Sequence, residues 1–144
     1  MSAPPTPNIV LVGGTITPPP AGPYPAEGGV FGGNAVLEST NAGFNGTGYI
    51  NFPATGGFLE FGNVDGGAGG TRTLRFRFAL GITTSRTGRL LVNGVSQNIT
   101  FDPTGSWTTW VNKDVAVTLR SGVNIVRLES TGQDLANIDE LQVP

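Results

Sequence analysis

The chain of 144 residues carries a net charge of −2 and contains neither cysteine nor histidine. Those two absences exclude disulfides, thiolate catalysis, cysteine-based metal centres and Ser-His-Asp triads. The seven arginines and the single lysine are scattered, which indicates no nucleic-acid footprint, and no apolar run approaches the roughly 20 residues that span a bilayer.

The N-terminal segment is rich in proline. Eight of the eleven prolines lie within residues 1–25, mainly in the runs SAPPTP and TPPPAGPYP. Such a composition is typical of an extended linker, although an ordinary irregular terminus remains an alternative. The intervening stretch NIVLVGGTI predicts one short strand at a sheet edge. We expect residues 1–23 to be a linker of a multi-modular protein and residues 24–144 to be the folded module.

Short apolar runs separated by glycine-rich breaks follow Tyr24. TLRFRFAL alternates apolar and basic residues, which predicts a strand with one buried face. RLLVNGVSQNITF predicts a hairpin with a type I′ turn at Asn93-Gly94. VAVTL, VNIVRLE and ANIDELQV predict three further strands, and no stretch shows a sustained helical period. The sequence therefore predicts an all-β sandwich with almost no helix.

Catalysis has little support in the sequence. A glycosidase needs two carboxylates that face each other across a cleft, and the ten acidic residues form no cluster. The glycine-dense run GGAGG (66–70) lacks the Lys-Ser/Thr pair and the helix of a phosphate-binding loop. We expect a protein without catalytic activity.

The aromatic residues divide into two groups. Phe76, Phe78 and Phe101 occupy inward strand positions and are predicted to be core. A second group lies beside Gly, Ser, Thr and Asn at the ends of strands, namely Phe44, Tyr49, Trp107 and Trp110. Flat rings flanked by amides suit sugar binding, because a ring covers the apolar face of a pyranose and amides bind its hydroxyls.

Several ordered motifs then point to one family. They are A-E (26–27), G-T-G-Y (46–49), R-F-A-L-G (77–81), V-N-G (92–94), T-G-S-W-T-T-W (104–110), G-V-N-I-V-R-L (122–128) and N-I-D (137–139). Together they resemble the carbohydrate-binding modules of family 35, and the related family 6 modules, from Tyr24 to Val143. The resemblance implies a jelly roll of two antiparallel sheets, galactose-binding-like. It also implies a monomeric, non-catalytic module that targets a covalently linked, secreted bacterial glycoside hydrolase to plant cell-wall polysaccharide.

The resemblance further implies a ligand site in the loops that join the two sheets at one edge. Carried over by position, its residues are Tyr49, Trp107 or Trp110, and Asn137, with Phe44 as an additional candidate. We favour Trp110 over Trp107. A buried Tyr49 that anchors the next strand is the alternative.

Many relatives hold a structural calcium with two acids of an E-A-E motif and the aspartate of the last strand. Here the motif is Pro25-Ala26-Glu27, so only Glu27 and Asp139 remain, and a weakened or absent calcium site is expected. In the alternative interpretation the two carboxylates only accept hydrogen bonds from neighbouring strands.

Family relatives bind β-mannans, uronic acids or galactosides. The candidate loops carry few charges and the net charge is negative, which favours a neutral polymer. We therefore expect β-1,4-mannan or glucomannan, as in a module attached to a mannanase. Arg72, Arg86 and Arg89 keep a uronic-acid ligand open, and a structural or adhesive sandwich without a sugar ligand is the alternative of another class.

Overall fold

The computed structural model describes residues 10–12, 15–17 and 21–144. Two short antiparallel strands, β1 (Val10–Val12) and β2 (Thr15–Thr17), form a separate two-stranded sheet. The single edge strand predicted for this stretch is therefore wrong, because two strands here pair with each other. The rest of the predicted linker, at residues 1–9, 13–14 and 18–20, lies outside the described residues.

Eleven strands form the module. They are β3 (Tyr24–Pro25), β4 (Val30–Gly32), β5 (Val36–Glu38), β6 (Tyr49–Asn51), β7 (Thr55–Asp65), β8 (Gly70–Ala79), β9 (Arg86–Val92), β10 (Val95–Phe101), β11 (Val111–Leu119), β12 (Val123–Thr131) and β13 (Asn137–Gln142). Within residues 21–144 the helical content is a 3₁₀ turn at Ala26–Gly28, and no helix is long and apolar enough to cross a membrane.

The strands form two antiparallel sheets that pack face to face. One has the order β10-β9-β12-β7-β4, and the other has the order β11-β8-β13-β6-β5, with β3 paired to β13. The predicted all-β jelly-roll sandwich is confirmed. Because β8, β11 and β13 lie in one sheet and β9, β10 and β12 in the other, the segments after β8, β10, β11 and β12 cross from sheet to sheet.

The core lies between the two inner faces. Leu74, Phe76 and Phe78 alternate along β8 and are buried, as predicted, and Phe101 meets Phe78 at a centroid distance of 4.8 Å. The hairpin between β9 and β10 is also confirmed. Asn93 and Gly94 have φ angles of 51° and 84°, the left-handed conformation that a two-residue turn requires.

An irregularity in β13 places one acidic side chain inside the module. The register against β8 shifts between Ile138 and Glu140, which leaves Asp139 as the extra residue of a β-bulge. Bulges redirect side chains locally, and Asp139 is buried together with both of its neighbours.

Candidate functional site

A pocket of about 190 Å³ opens at the end of the sandwich where loops connect the two sheets. Glu38 and Asn51 lie at the last positions of β5 and β6, and Arg86 and Asn137 lie at the first positions of β9 and β13. Loop residues complete the lining, namely Asn41, Trp107, Asp134 and Leu135. Strand ends from both sheets therefore position the polar groups of this pocket.

Trp107 supplies the flat apolar wall. The residue lies in the loop between β10 and β11, packs on the core with part of its ring, and contributes the rest to the pocket. Gly81 lies directly behind the ring, since a Cβ atom at this position would come within 2.6 Å of the indole Nε1. The Thr104 hydroxyl fixes the loop, because Oγ1 accepts a hydrogen bond from the Leu80 amide at 3.1 Å.

Amide and carboxylate groups also line the pocket. Asn51 Nδ2 donates to Glu38 Oε2 at 3.0 Å, and the Asn41 and Asn137 side chains complete the set. Asparagine offers both donors and acceptors, so this lining can bind several sugar hydroxyls at once. Sequence reasoning found Asn137 but missed Glu38, Asn41 and Asn51. Their signal was a carboxylate at a strand end close to an asparagine-rich segment.

Arg86 adds a positive charge to the pocket. Its Nη1 donates to the main-chain oxygen of Asp134 at 3.0 Å. Within residues 21–144 no carboxylate lies at ion-pair distance from its guanidinium, whereas Arg75, Arg77, Arg89 and Arg127 all have such partners. The remaining donors of Arg86 are available to an acidic or hydroxylated ligand.

Tyr49 lies behind the pocket, and its ring is 0% exposed. The expectation that this ring is open to a sugar is therefore not met, and the alternative of a buried ring describes the structure. The hydroxyl donates to Glu38 Oε1 at 2.8 Å and accepts from the Asn41 amide at 3.1 Å. Burial and then the bond to Glu38 raise the pKa of the Tyr49 hydroxyl, which keeps it protonated as a donor.

Trp110 and Phe44 pack against Tyr49 and do not line the pocket. The ring centroid of Tyr49 is 5.1 Å from Trp110 and 5.6 Å from Phe44. Trp110 Nε1 donates to the main-chain oxygen of Ala42 at 2.9 Å, and the Arg77 guanidinium lies 5.6 Å from the Trp110 ring. The structure therefore places Trp107, and not the favoured Trp110, in the same pocket as Asn137. Three of the five predicted contact residues form a cluster behind the pocket.

The two predicted calcium ligands hold one loop by separate bonds. Glu27 Oε2 accepts from the Thr47 amide at 2.9 Å, whereas Glu27 Oε1 is buried without a hydrogen-bond partner. Both Asp139 oxygens accept from the Asn45 amide, and Oδ2 also receives Arg77 Nη1 at 2.6 Å. Glu27 thus fits a cation, but Asp139 already has a positively charged partner. No group of three or more acidic residues that could hold a metal occurs in the described part of the chain.

Comparison with known proteins assigns the family. The model for the carbohydrate-binding module of family 6 matches residues 26–144. A family 35 carbohydrate-binding module from Clostridium thermocellum is 36% identical with a TM-score of 0.77, over 83% of this chain and 93% of that one. A family 35 module from Paenibacillus barcinonensis is 35% identical with a TM-score of 0.81, over 86% of this chain and 98% of that one.

Longer proteins contain a similar segment. Endo-1,4-beta-xylanase B of Cellvibrio japonicus is 35% identical over 122 residues, which are 82% of this chain but only 20% of the xylanase. The chain thus spans about a fifth of that curated relative. With the sandwich, the pocket at its edge and the matched motifs agreeing, the chain belongs to the carbohydrate-binding modules of family 35, within the group matched by the family 6 model.

Proposed function

We propose that this module binds polysaccharide in the pocket lined by Trp107, Arg86 and Asn137. The observation that carries the proposal is the convergence of one flat apolar ring with amides and an unpaired arginine in a single concave site. At about 190 Å³ the pocket is smaller than the roughly 300–1,000 Å³ typical of sites for drug-sized ligands. That size suits one sugar ring, at a chain end or on a branch.

The ligand class best supported by the geometry is a sugar that carries a carboxylate, that is, a uronic acid. Guanidinium binds carboxylate through paired hydrogen bonds, and Arg86 keeps donors free for this purpose. Glu38 and Asp134 in the lining oppose an anionic ligand by their charge. The hydrogen bonds from Tyr49 and Asn51 orient the Glu38 carboxylate and stabilise its charge, so the proposal depends on direct contact with the Arg86 guanidinium.

A neutral ligand, β-1,4-mannan or glucomannan, or a galactoside, is the second candidate. Three asparagines and two acidic residues in the lining, Glu38 and Asp134, match an array of hydroxyls without any need for charge. In this case Arg86 donates to hydroxyl oxygens, and its charge contributes little.

Affinity electrophoresis separates the two ligand classes. Gels that contain glucuronoxylan or pectin test the uronic-acid proposal, and gels that contain glucomannan or galactomannan test the neutral one. Arg86→Gln should abolish retardation by the acidic polymers and leave retardation by neutral polymers nearly unchanged. Arg89→Gln is the matched control, because Arg89 lies on the same strand but is paired with Glu129 outside the pocket. Unretarded migration in all four gels would favour the structural or adhesive class.

We also infer that the module is a monomeric, non-catalytic part of a secreted bacterial glycoside hydrolase. The xylanase of Cellvibrio japonicus, in which a similar segment makes up a fifth of the chain, supports this arrangement. Fusing the module to a xylanase catalytic domain should raise activity on insoluble cell-wall material and leave activity on soluble substrate unchanged. Sedimentation of the isolated module should give the monomer mass.

A calcium ion bound by Glu27 Oε1 is a further proposal, supported by the unpartnered buried oxygen. Calcium prefers six to eight oxygen ligands, and main-chain carbonyls would have to supply most of them here. A bound ion would neutralise Glu27 and tie the 3₁₀ turn to the loop at Thr47. Melting with and without chelator tests the proposal, since an ion that binds only the folded state raises the midpoint. Glu27→Gln should remove any chelator effect.

A further inference from the structure

Tyr49 connects a cluster with the partly buried Phe44 and Trp110 to the polar lining of the pocket. Its ring is enclosed by Trp110 on one side and Phe44 on another, and its hydroxyl points to Glu38 and the Asn41 amide. Both of these residues line the pocket, whereas Tyr49 does not. The position therefore suits a residue that acts on a ligand through its neighbours.

We infer that Tyr49 is a positioning residue whose buried hydroxyl fixes Glu38 and Asn41 in the geometry that receives a sugar. The inference rests on the proposed function of the pocket and adds a role for a residue that the ligand does not touch. A carboxylate has about four acceptor positions. One bond from Tyr49 to Oε1 and one from Asn51 to Oε2 fix its orientation and leave acceptor positions for sugar hydroxyls.

The same hydroxyl determines the start of the loop that follows β5. It accepts a hydrogen bond from the Asn41 N–H, so the main chain at Asn41 is held in place beside the pocket. One residue further on, the Ala42 carbonyl accepts from Trp110 Nε1. The two bonds hold the loop through two rings that contact each other at an interplanar angle of 54°, which explains why aromatic residues are placed beside a glycine-rich segment.

In this arrangement the aromatic rings have two different roles, and only one of them is contact with the sugar. Trp107 contacts the ligand. Tyr49, together with Trp110, keeps the Glu38 carboxylate and the Asn41 main chain in place. Loss of the Tyr49 hydroxyl should therefore weaken binding even though the ring and its packing remain. Glu38 could then rotate, and the Asn41 amide would lose its acceptor.

The test is Tyr49→Phe, measured by affinity electrophoresis in glucuronoxylan and in glucomannan and by thermal melting. We expect binding to the retarding polymer to weaken about tenfold, the cost of one misplaced hydrogen-bonding group. Tyr24→Phe is the matched control, because the Tyr24 hydroxyl also accepts a main-chain amide, that of Asp65 at 2.8 Å, and lies outside the pocket. This control should melt earlier and bind like wild type.

A double-mutant cycle with Glu38→Gln separates positioning from general stability. Because part of the Tyr49 effect acts through Glu38, the double variant should lose less affinity than the sum of the two single losses, whereas a purely structural effect adds. Wild-type affinity in Tyr49→Phe, or strict additivity, would overturn the inference while Trp107→Ala still abolishes binding. Unchanged binding in Trp107→Ala would overturn the proposed pocket, and the inference with it.

Discussion

Arg77 and Asp139 form an ion pair in which Nη1 lies 2.6 Å from Oδ2, and the aspartate side chain is 0% exposed. The pair joins β8 to the bulge of β13. Through its bond to the Asn45 amide, Asp139 also holds the loop between β5 and β6. Arg77 further contacts the Trp110 ring, so one guanidinium links the edge of the sandwich to the aromatic cluster behind the pocket.

Arg77→Ala should destabilise the module by about 3 kcal/mol, since it leaves a buried carboxylate without its partner. Arg75→Ala is the control. Arg75 lies on the same strand and pairs with the largely exposed Asp114, and a surface pair contributes about 0–1 kcal/mol. Urea unfolding of both variants at pH 7 gives the comparison, and equal losses would contradict the assigned role of the buried pair.

The loss of unfolding free energy caused by Arg77→Ala should also depend on pH. Burial already raises the pKa of the Asp139 carboxyl, against the opposing effects of the Asn45 amide and Arg77, and removal of Arg77 raises it further. A group with a raised folded-state pKa contributes its stability below the unfolded value of about 3.9 and loses it as pH rises through the folded value. The deficit of the variant should therefore be smallest in acid and grow towards neutral pH.

Asn124→Ala tests a buried amide in β12. Asn124 is fully buried, and its Nδ2 donates to the main-chain oxygens of Arg120 and Gly122 at 2.9 and 3.1 Å. Its Oδ1 accepts from the Arg120 amide and from Asn93 Nδ2. Its removal leaves several partly buried polar groups without a partner, and we expect a loss of about 3 kcal/mol in urea unfolding. The exposed Asn98→Ala should change stability by less than about 0.5 kcal/mol, and a similar loss there would contradict the argument.

The strands could be predicted from the sequence because their signal is local. Alternation along β8 and the Asn93-Gly94 turn each depend on a few neighbouring residues, and both are confirmed. The same alternation placed Arg77 on an outward face. The structure pairs it with a buried carboxylate, because a bulge in a distant strand turns Asp139 towards it. A register shift of this kind produces no recognisable pattern of apolar and polar residues, so the sequence does not predict it.

The pocket could be predicted only in part. The motif resemblance named Trp107 and Asn137, which line the pocket at the loop edge. It could not assign the two tryptophans, because they are three positions apart in an irregular loop, where strand alternation does not apply. The orientation of each ring depends on its partner, Gly81 for Trp107 and the Ala42 carbonyl for Trp110. Both partners are distant in sequence.

The two tryptophans should therefore respond differently to substitution. Trp107→Ala removes the apolar wall of the pocket, and we expect binding to fall below detection in affinity gels while the module remains folded. Trp110→Ala removes a partly buried ring that packs against Tyr49 and should cost about 1–2 kcal/mol of stability, with a smaller effect on binding. Circular dichroism melting and gel retardation of both variants provide the measurements. The opposite pattern would place the ligand at Trp110.

Protonation of Glu129 at low pH should lower the stability of the five-stranded sheet. It accepts Arg127 Nε at 2.7 Å and Arg89 Nη1 at 2.9 Å, and the bond from Arg127 lowers the pKa of its carboxyl despite partial burial. A lowered folded-state pKa contributes stability above the unfolded value of about 4.3, which is lost as pH falls through the folded value. Glu129→Gln should cost about 1 kcal/mol at pH 7 and almost nothing at pH 2. Unfolding curves at several pH values test the difference, and a deficit that stays constant into acid would show that the loss comes from packing and not from the charge.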